Sequence, residues 1–183
     1  MNHTLIAKVE NKPGVLNRVA SLFRRRNFNI ESLAVGRTED PNVSRMTIVM
    51  EHAGADARKV EANLYKLVNV IDVQDVTNQP TVTRDLALIK VAATPESRAE
   101  VTNLANIFRA KIVDVAPDSI ILEITGTEEK IESLVELLRP MGIIEMVRTG
   151  QVAMLRGDSI GIRYTPGANG NTNGNGHSPE YEI

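Results

Sequence analysis

The feature that most constrains the fold is an order of apolar patterns that occurs twice along the chain. An alternating pattern typical of a strand is followed by a helical stripe, two further strand patterns, a second helical stripe and a last strand. The first series covers residues 5–76 and the second covers residues 86–149. This order predicts a ferredoxin-like unit, a four-stranded antiparallel sheet under two helices. We therefore expect an α+β protein of two βαββαβ sandwiches in tandem.

Composition predicts the boundaries of these units. Residues 78–83 are polar and include Pro80, so we expect a linker between an N-terminal domain at 3–77 and a C-terminal domain at 84–163. Residues 164–183 are rich in Gly and Asn and contain few apolar side chains. Such a segment cannot bury enough apolar surface to offset the entropy of ordering it, and we expect a disordered tail.

A short motif, Asn11-Lys12-Pro13-Gly14, precedes the first helical stripe. Asn11 is suited to the N-cap position and Pro13 to the first helical turn. Gly14 has no Cβ, so a ligand can approach the free backbone N–H groups at the positive end of the helix dipole, which favours a carboxylate or a phosphate. The residues alone leave two interpretations open, an anion-binding helix start and an ordinary tight turn.

The strand predicted from Phe28 to Arg37 changes its apolar parity between Ile30 and Leu33. The change indicates either a β-bulge or a strand that is buried on both faces. Asn27 precedes this strand, and Asn tolerates the left-handed conformation in which many helices end. We therefore expect the first helix to leave through Asn27.

Composition argues against several classes of function. The chain has no Cys, which removes disulfides, thiolate metal sites and Cys nucleophiles. Lys and Arg total 21, Asp and Glu total 23, and the Phe and Tyr residues, three of each, are scattered, so nucleic-acid binding is not expected. The start does not resemble a signal peptide and no apolar run approaches the ~20 residues of a membrane span. We expect no membrane association and a cytoplasmic location.

The patterns that would support catalysis are weak. His3, His52 and His177 are far apart, with no partner at helical spacing, which argues against a metal site. The segment 157–161 matches the G-x-S-x-G nucleophile elbow, but Gly and Pro follow it where a helix is needed. We interpret it as a chance match and predict that the chain is not an enzyme on its own. A small enzyme such as an acylphosphatase is an alternative, although the first loop lacks the arginine that holds phosphate.

Ferredoxin-like units without catalytic groups commonly work as binding and association modules. If two chains pair through the second strand or the first helix, a pocket forms at the joint. With backbone N–H groups and Asn amides on one wall and apolar side chains on the other, it would suit an amino acid with a short branched side chain. Each apolar residue also fits ordinary core packing. The walls would be formed by Asn11, Gly14 and Asn29 on the polar side and by Val15, Ile30, Leu33 and Val35 on the apolar side.

Motifs in both halves carry a resemblance to a known family. They are Asn11-Lys12-Pro13-Gly14-Val15-Leu16, Phe28-Asn29-Ile30-Glu31-Ser32-Leu33, Ser44-Arg45-Met46-Thr47, Leu86-Ala87-Leu88-Ile89-Lys90-Val91, Phe108-Arg109-Ala110-Lys111-Ile112-Val113-Asp114-Val115 and Glu123-Ile124-Thr125-Gly126-Thr127. Over about residues 3–163 the chain resembles the small regulatory subunit of acetohydroxyacid synthase, also called acetolactate synthase. Asn27 stands where many members have glycine.

The resemblance implies an N-terminal ACT domain, a C-terminal domain that contacts a catalytic subunit, and a homodimer. L-valine or another branched-chain amino acid would bind between the ACT domains. The separate large catalytic subunit would carry thiamine diphosphate, Mg and FAD, and this chain would carry no cofactor. The chain would activate that subunit and make it sensitive to feedback inhibition.

The resemblance also implies which residues hold the effector. One chain would bind the polar end of the effector, and the facing chain would complete the site. The residues are Asn11, Gly14 and Val15 from one chain and Asn29 and Ile30 from the other. We also expect Pro13, Leu33 and Val35 in the effector site. A stand-alone amino-acid sensor that regulates another partner is the alternative.

Overall fold

The computed structural model describes residues 2–51 and 57–157, which form two units in series. In each unit the strands form an antiparallel sheet and two helices cover one face, as the order of patterns predicts. The expectations for His52, His177 and the tail, and for all but the first residue of the 157–161 motif, fall outside the described residues. None of the helices in the described segments has the length and apolar character that crossing a membrane requires.

The N-terminal unit has the sheet order β2-β3-β1-β4, so β2 and β4 are its edge strands. Each neighbouring pair is antiparallel. Its elements are β1 (Asn2–Glu10), α1 (Val15–Arg25), β2 (Ile30–Arg37), β3 (Val43–Glu51), α2 (Ala57–Leu64) and β4 (Val70–Asp75).

The C-terminal unit repeats this arrangement with the sheet order β6-β7-β5-β8, and an additional strand, β9, pairs with the start of β5. A single 3-10 turn at Arg139–Met141 joins its second helix to β8. Its elements are β5 (Thr81–Ala92), α3 (Arg98–Phe108), β6 (Lys111–Val115), β7 (Ser119–Gly126), α4 (Glu128–Leu138), β8 (Ile143–Arg148) and β9 (Val152–Leu155).

Each unit has its own apolar core between sheet and helices. Alternate residues of β1 point into the first core, where they meet the buried stripe of α1. Alternate residues of β5 and β7 form the second core with α3 and α4. A large apolar side chain buried in this way contributes roughly 1.5–3 kcal/mol before its lost entropy is counted. The two periods, near 2 and 3.6, are therefore visible in the sequence wherever an element buries one face, as β1, β5 and α1 do.

The segment expected to be a linker is partly a strand. β5 begins at Thr81, so the linker prediction is wrong for the last three of residues 78–83. Thr81 to Arg84 pair in register with β9, which was not predicted. The β-branched side chains at 81–83 suit an extended conformation once a partner strand is present.

The strand β9 joins the two units because it lies against the sheet face of the N-terminal unit that the helices leave open. Ile6 of β1 and Val76 form a small buried cluster with Ala153, and Leu155 packs on it. Arg45 of β3 donates a hydrogen bond from Nη2 to the carbonyl oxygen of Ala153 at 2.7 Å. The open face of one sheet is thus covered by the last described strand of the other unit.

Candidate functional site

The start of α1 differs from the predicted one. The helix begins at Val15, and its N-cap is Gly14, which has φ 82° and ψ −7°. The Gly14 carbonyl accepts the N–H of Arg18 at 3.1 Å. The predictions that Asn11 is the N-cap and that Pro13 lies in the first helical turn are therefore wrong. A positive φ explains why glycine stands at this position, since other residues adopt that conformation at a cost.

Asn11 instead stabilises the loop before α1 through its hydrogen bonds. Its backbone N–H donates to the carbonyl oxygen of Asn42 at 2.7 Å, and its Nδ2 donates to that of Pro41 at 2.9 Å. That turn is itself held by Asp40, whose Oδ1 accepts the backbone N–H of Asn42 at 2.8 Å. The loop 11–14 is consequently fixed against the turn between β2 and β3.

The helix start presents open hydrogen-bond donors. Within the two described segments, the backbone N–H groups of Gly14, Leu16 and Asn17 have no acceptor. Among the described residues, apart from the chain neighbours of Gly14, no atom lies within 4 Å of a Cβ built on it, so the space beside this glycine is open. Free amides at the positive end of an 11-residue helix stabilise an anion placed there.

The charges around this helix start leave it mildly positive. Lys12 and Glu10 form an exposed ion pair at 3.2 Å. Asn69 donates to Glu10 and Lys12 adds a second hydrogen bond, and these bonds hold the pKa of the Glu10 carboxyl below its usual range. Arg18 bonds the neutral Asn69 side chain, and it has no carboxylate partner in the described part of the chain. One cation therefore remains uncompensated one turn into α1.

The second group of candidate residues lies on β2 and just before it. The pairing register shifts between Ile30 and Ser32, which confirms a bulge at the predicted change of parity. Ile30 and Leu33 are half-buried and pack against the core, whereas Asn29 is exposed and Val35 is 45% exposed. Asn27 precedes them at φ 55°, the left-handed conformation that we expected.

One chain does not bring the two groups together. Asn11 and Gly14 lie at the end of the unit where β2 finishes, because Asn11 is bonded to the turn that follows β2. Asn29 and Ile30 lie at the opposite end, where α1 finishes and β2 begins. Between the two ends runs the whole of α1, which at 1.5 Å per residue is about 16 Å long. A site that combines both groups therefore needs a second chain.

The Val15 side chain does not line an open surface. It is 4% exposed and belongs to the core of the N-terminal unit. Its backbone N–H makes a long contact of 3.4 Å to the Lys12 carbonyl oxygen. Leu16, the next residue, is 45% exposed on the outer side of α1 beside the open amides. Of this pair, Leu16 and not Val15 offers apolar side-chain surface next to Gly14.

Two residues near the site were missed by the sequence reasoning. Arg18 supplies the uncompensated charge, and it follows Gly14 by four residues, so helical spacing from the glycine would have indicated it. Asn69 holds both Arg18 and Glu10 but comes from the loop before β4. No local pattern marks Asn69, because its partners are distant in sequence.

No group of three or more His, Asp or Glu side chains that could hold a metal ion occurs in residues 2–51 and 57–157. Open amides and one cation can bind an anion and orient it. They do not supply the nucleophile or the general base of a hydrolytic site. The geometry therefore fits binding.

Comparison with known proteins decides the family. A family model described as an AHAS small subunit-like ACT domain matches residues 5–72, and one described as the small subunit of acetolactate synthase matches residues 84–157. The chain belongs to the acetolactate synthase small subunit family. Both units of the fold are thus accounted for by the two domains of this family, as the motifs predicted.

Individual acetolactate synthase small subunits agree with this assignment. The "Probable acetolactate synthase small subunit" of Archaeoglobus fulgidus is 54% identical over 158 residues, which cover 86% of this chain and 99% of that protein. The small subunit of Mycolicibacterium smegmatis is 48% identical over 155 residues, covering 85% of this chain and 91% of that protein. The crystal structure of the small subunit from Thermotoga maritima matches with a TM-score of 0.81 and 41% identity, over 86% of this chain and 99% of that one.

Proposed function

We propose that this chain is the regulatory subunit of an acetohydroxyacid synthase and that its ACT domain binds a branched-chain amino acid, in the first place L-valine. The partner is a separate catalytic subunit that uses thiamine diphosphate, with Mg and FAD. The observation that supports the proposal is the set of open amides beside Gly14, in a unit that matches the family's ACT domain. The chain itself acts by binding and by changing conformation.

The proposed site forms between two copies of the chain. β2 is an edge strand, and an exposed edge is stabilised by pairing with another strand. If β2 pairs antiparallel with its copy about a two-fold axis, the beginning of one β2 lies beside the end of the other. Asn29 and Ile30 of one chain then approach Asn11 and Gly14 of its partner. This pairing resolves the separation of the two groups within one chain.

The chemistry of the site suits a free amino acid. The effector carboxylate accepts hydrogen bonds from the amides at Gly14 and Leu16 and gains from the dipole of α1 and the charge of Arg18. The side-chain carbonyl oxygens of Asn11 and of the partner's Asn29 can accept from the ammonium group. A short branched side chain then meets apolar surface at Leu33 and Val35.

Regulation follows if the effector binds two arrangements of the dimer unequally. The effector-free dimer holds the catalytic subunit in its more active state. Binding of the effector favours a second arrangement of the dimer, which does not hold the catalytic subunit in that state. Such couplings are typically about 1–3 kcal/mol, which corresponds to a shift of roughly 5- to 150-fold in the equilibrium between the two arrangements.

The experiment measures the activity of the cognate catalytic subunit with and without this chain, across a titration of L-valine. We expect the chain to raise the activity and valine to lower it again. Leucine and isoleucine titrations rank the effectors in the same assay. If the activity responds to neither the chain nor valine, the proposal is wrong, and a stand-alone amino-acid sensor becomes the better description.

A further inference from the structure

The turn between β8 and β9 rests on the back of β2. The backbone N–H of Gln151 donates to Ser32 Oγ at 2.9 Å, across the boundary between the two units. Gly150 precedes it at φ 83°, and a Cβ built there would lie 2.7 Å from Ser32 Oγ and 3.7 Å from the backbone of Leu33. The positive φ therefore favours glycine here, and an added Cβ would displace Ser32 Oγ, whereas the Leu33 backbone lies at ordinary van der Waals distance. We call the contact of Ser32 with Gly150 and Gln151 the interunit clasp.

Ser32 lies on β2 next to the bulge and between residues of the proposed effector site. It adjoins the bulge, where the register with β3 shifts, and it lies between Ile30 and Leu33. Those two neighbours pack on the helix side of the sheet, and they belong to the proposed effector strand. The serine hydroxyl instead meets the C-terminal unit on the other side. A small shift of β2 at the effector site would thus change a contact of the other unit directly.

The far side of the interunit clasp is firmly tied to the C-terminal sheet. Arg148, two residues before Gly150, bonds the buried carboxylate of Asp85 through Nη2 at 2.6 Å and Nε at 2.7 Å. Thr149 donates from Oγ1 to the same carboxylate at 3.1 Å, and its N–H donates to the Leu86 carbonyl oxygen at 3.0 Å. A displaced turn would therefore move the edge of this sheet with it.

We propose that the interunit clasp transmits effector occupancy from the ACT domain to the C-terminal domain, with Ser32 as the positioning residue. This inference rests on the proposed function, because it assumes an effector at β2. The hydrogen bond from Gln151 to Ser32 is directional, and Gly150 packs closely against Ser32. Together these contacts favour one position of β2 over others. An effector that pulls β2 out of that position biases the orientation of the C-terminal unit.

The first test measures amide hydrogen exchange of the full chain without any effector, so it does not depend on the proposed function. Gly150→Ala should speed exchange along β2 at least about twofold, because the added Cβ displaces Ser32 Oγ or the turn and so breaks the hydrogen bond to Gln151. Ser32→Ala should speed exchange of the Gln151 amide by a similar factor. Gly157→Ala is the matched control, since Gly157 has φ 65° and, among the described residues, no atom lies within 4 Å of a Cβ built there. Unchanged exchange on β2 in Gly150→Ala would overturn the inference.

The second test uses the complex with the catalytic subunit. Ser32→Ala and Gly150→Ala should bind L-valine within about threefold of the unaltered chain in calorimetry, yet lose at least about half of the inhibition at saturating valine. Gly157→Ala should keep full inhibition. Full inhibition in Ser32→Ala and Gly150→Ala contradicts the inference. If the unaltered chain shows neither activation nor valine binding, the proposed function fails and the transmission of effector occupancy fails with it, while the exchange experiment still decides whether the interunit clasp holds β2.

Discussion

Arg45 of β3 and Ala153 of β9 are joined by a hydrogen bond of 2.7 Å that crosses from one unit to the other. Burial lowers the pKa of the Arg45 guanidinium, and the nearby charge of Glu39 partly opposes this effect. Because an arginine side chain stays protonated in proteins even when its pKa is lowered, the guanidinium donates a charge-assisted bond to a backbone carbonyl. Bonds of this kind are stronger than bonds between neutral groups.

We expect Arg45→Met to lower the free energy of unfolding by about 1–2 kcal/mol, because the apolar stem is kept and the donor is lost. Arg37→Met, on the exposed end of β2, is the control and should change stability by less than about 0.5 kcal/mol. Urea unfolding of both variants measures the difference. Equal midpoints for the two variants would show that the Arg45 bond does not stabilise the fold.

Substitutions of two valines can show which sheet edge forms the dimer. Val35 on β2 is 45% exposed and Val113 on β6 is 49% exposed, and both strands are sheet edges in equivalent positions. Val35→Arg would bury unpaired charges at a two-fold β2 joint, and we expect it to weaken dimerisation at least about tenfold. Val113→Arg should leave the dimer intact. Sedimentation equilibrium measures both, and dissociation by Val113→Arg alone would place the joint at β6.

Two replacements of Gly14 separate charge from shape. Asp and Asn have similar volumes, and both tolerate a positive φ better than most residues. Gly14→Asp puts a carboxylate where the effector carboxylate is expected, so we predict a loss of valine affinity of at least about 100-fold. Gly14→Asn fills the same space without charge and should lose clearly less affinity.

Calorimetric titration of valine into each Gly14 variant measures the difference. Similar affinities for the two variants would mean that the effector carboxylate does not bind at Gly14. Circular dichroism of both variants serves as the control that α1 still forms.

The Glu10 carboxyl gives a pH-dependent prediction. Its pKa is lowered first by the Asn69 hydrogen bond and then by Lys12. A lowered pKa means that the stabilising bonds are present above the unfolded value of about 4.3 and are lost as the pH falls through the folded value. We expect both Asn69→Ala and Lys12→Gln to raise the pKa of Glu10, because each removes a hydrogen bond to the carboxylate. NMR titration of the carboxyl resonance measures the change, and an unchanged pKa in Asn69→Ala would contradict the assignment.

The order of elements could be predicted because most strands and helices bury one face, although β3 is buried on both faces and β6 is exposed. This burial produces the alternation of Leu5, Ala7 and Val9 and the apolar stripe of α1. The bulge in β2 was also visible, since a change of parity shifts which side chains reach the core. These features depend on local spacing, which a single sequence contains.

The features that could not be predicted depend on distant partners. Asn11 has the side chain of a good N-cap, but it bonds Pro41, which is 30 residues away. β9 has four residues, too few for a periodic signal, and it is held by Thr81–Arg84 and by the open face of the first sheet. The separation of Gly14 from Asn29 follows from the direction of α1 between β1 and β2, and the motifs themselves give no distance.

The separation of Gly14 from Asn29 within one chain has a consequence for dimers that contain two different variants. In the proposed two-fold dimer each chain gives its Gly14 end to one site and its Asn29 end to the other. A chain with Gly14→Asp and a chain with Asn29→Ala would each form dimers in which both sites are damaged. When they pair with each other, both substitutions fall in the same site, and the second site is assembled from two unaltered halves. Two insensitive chains would thus complement each other and recover one working site per mixed dimer.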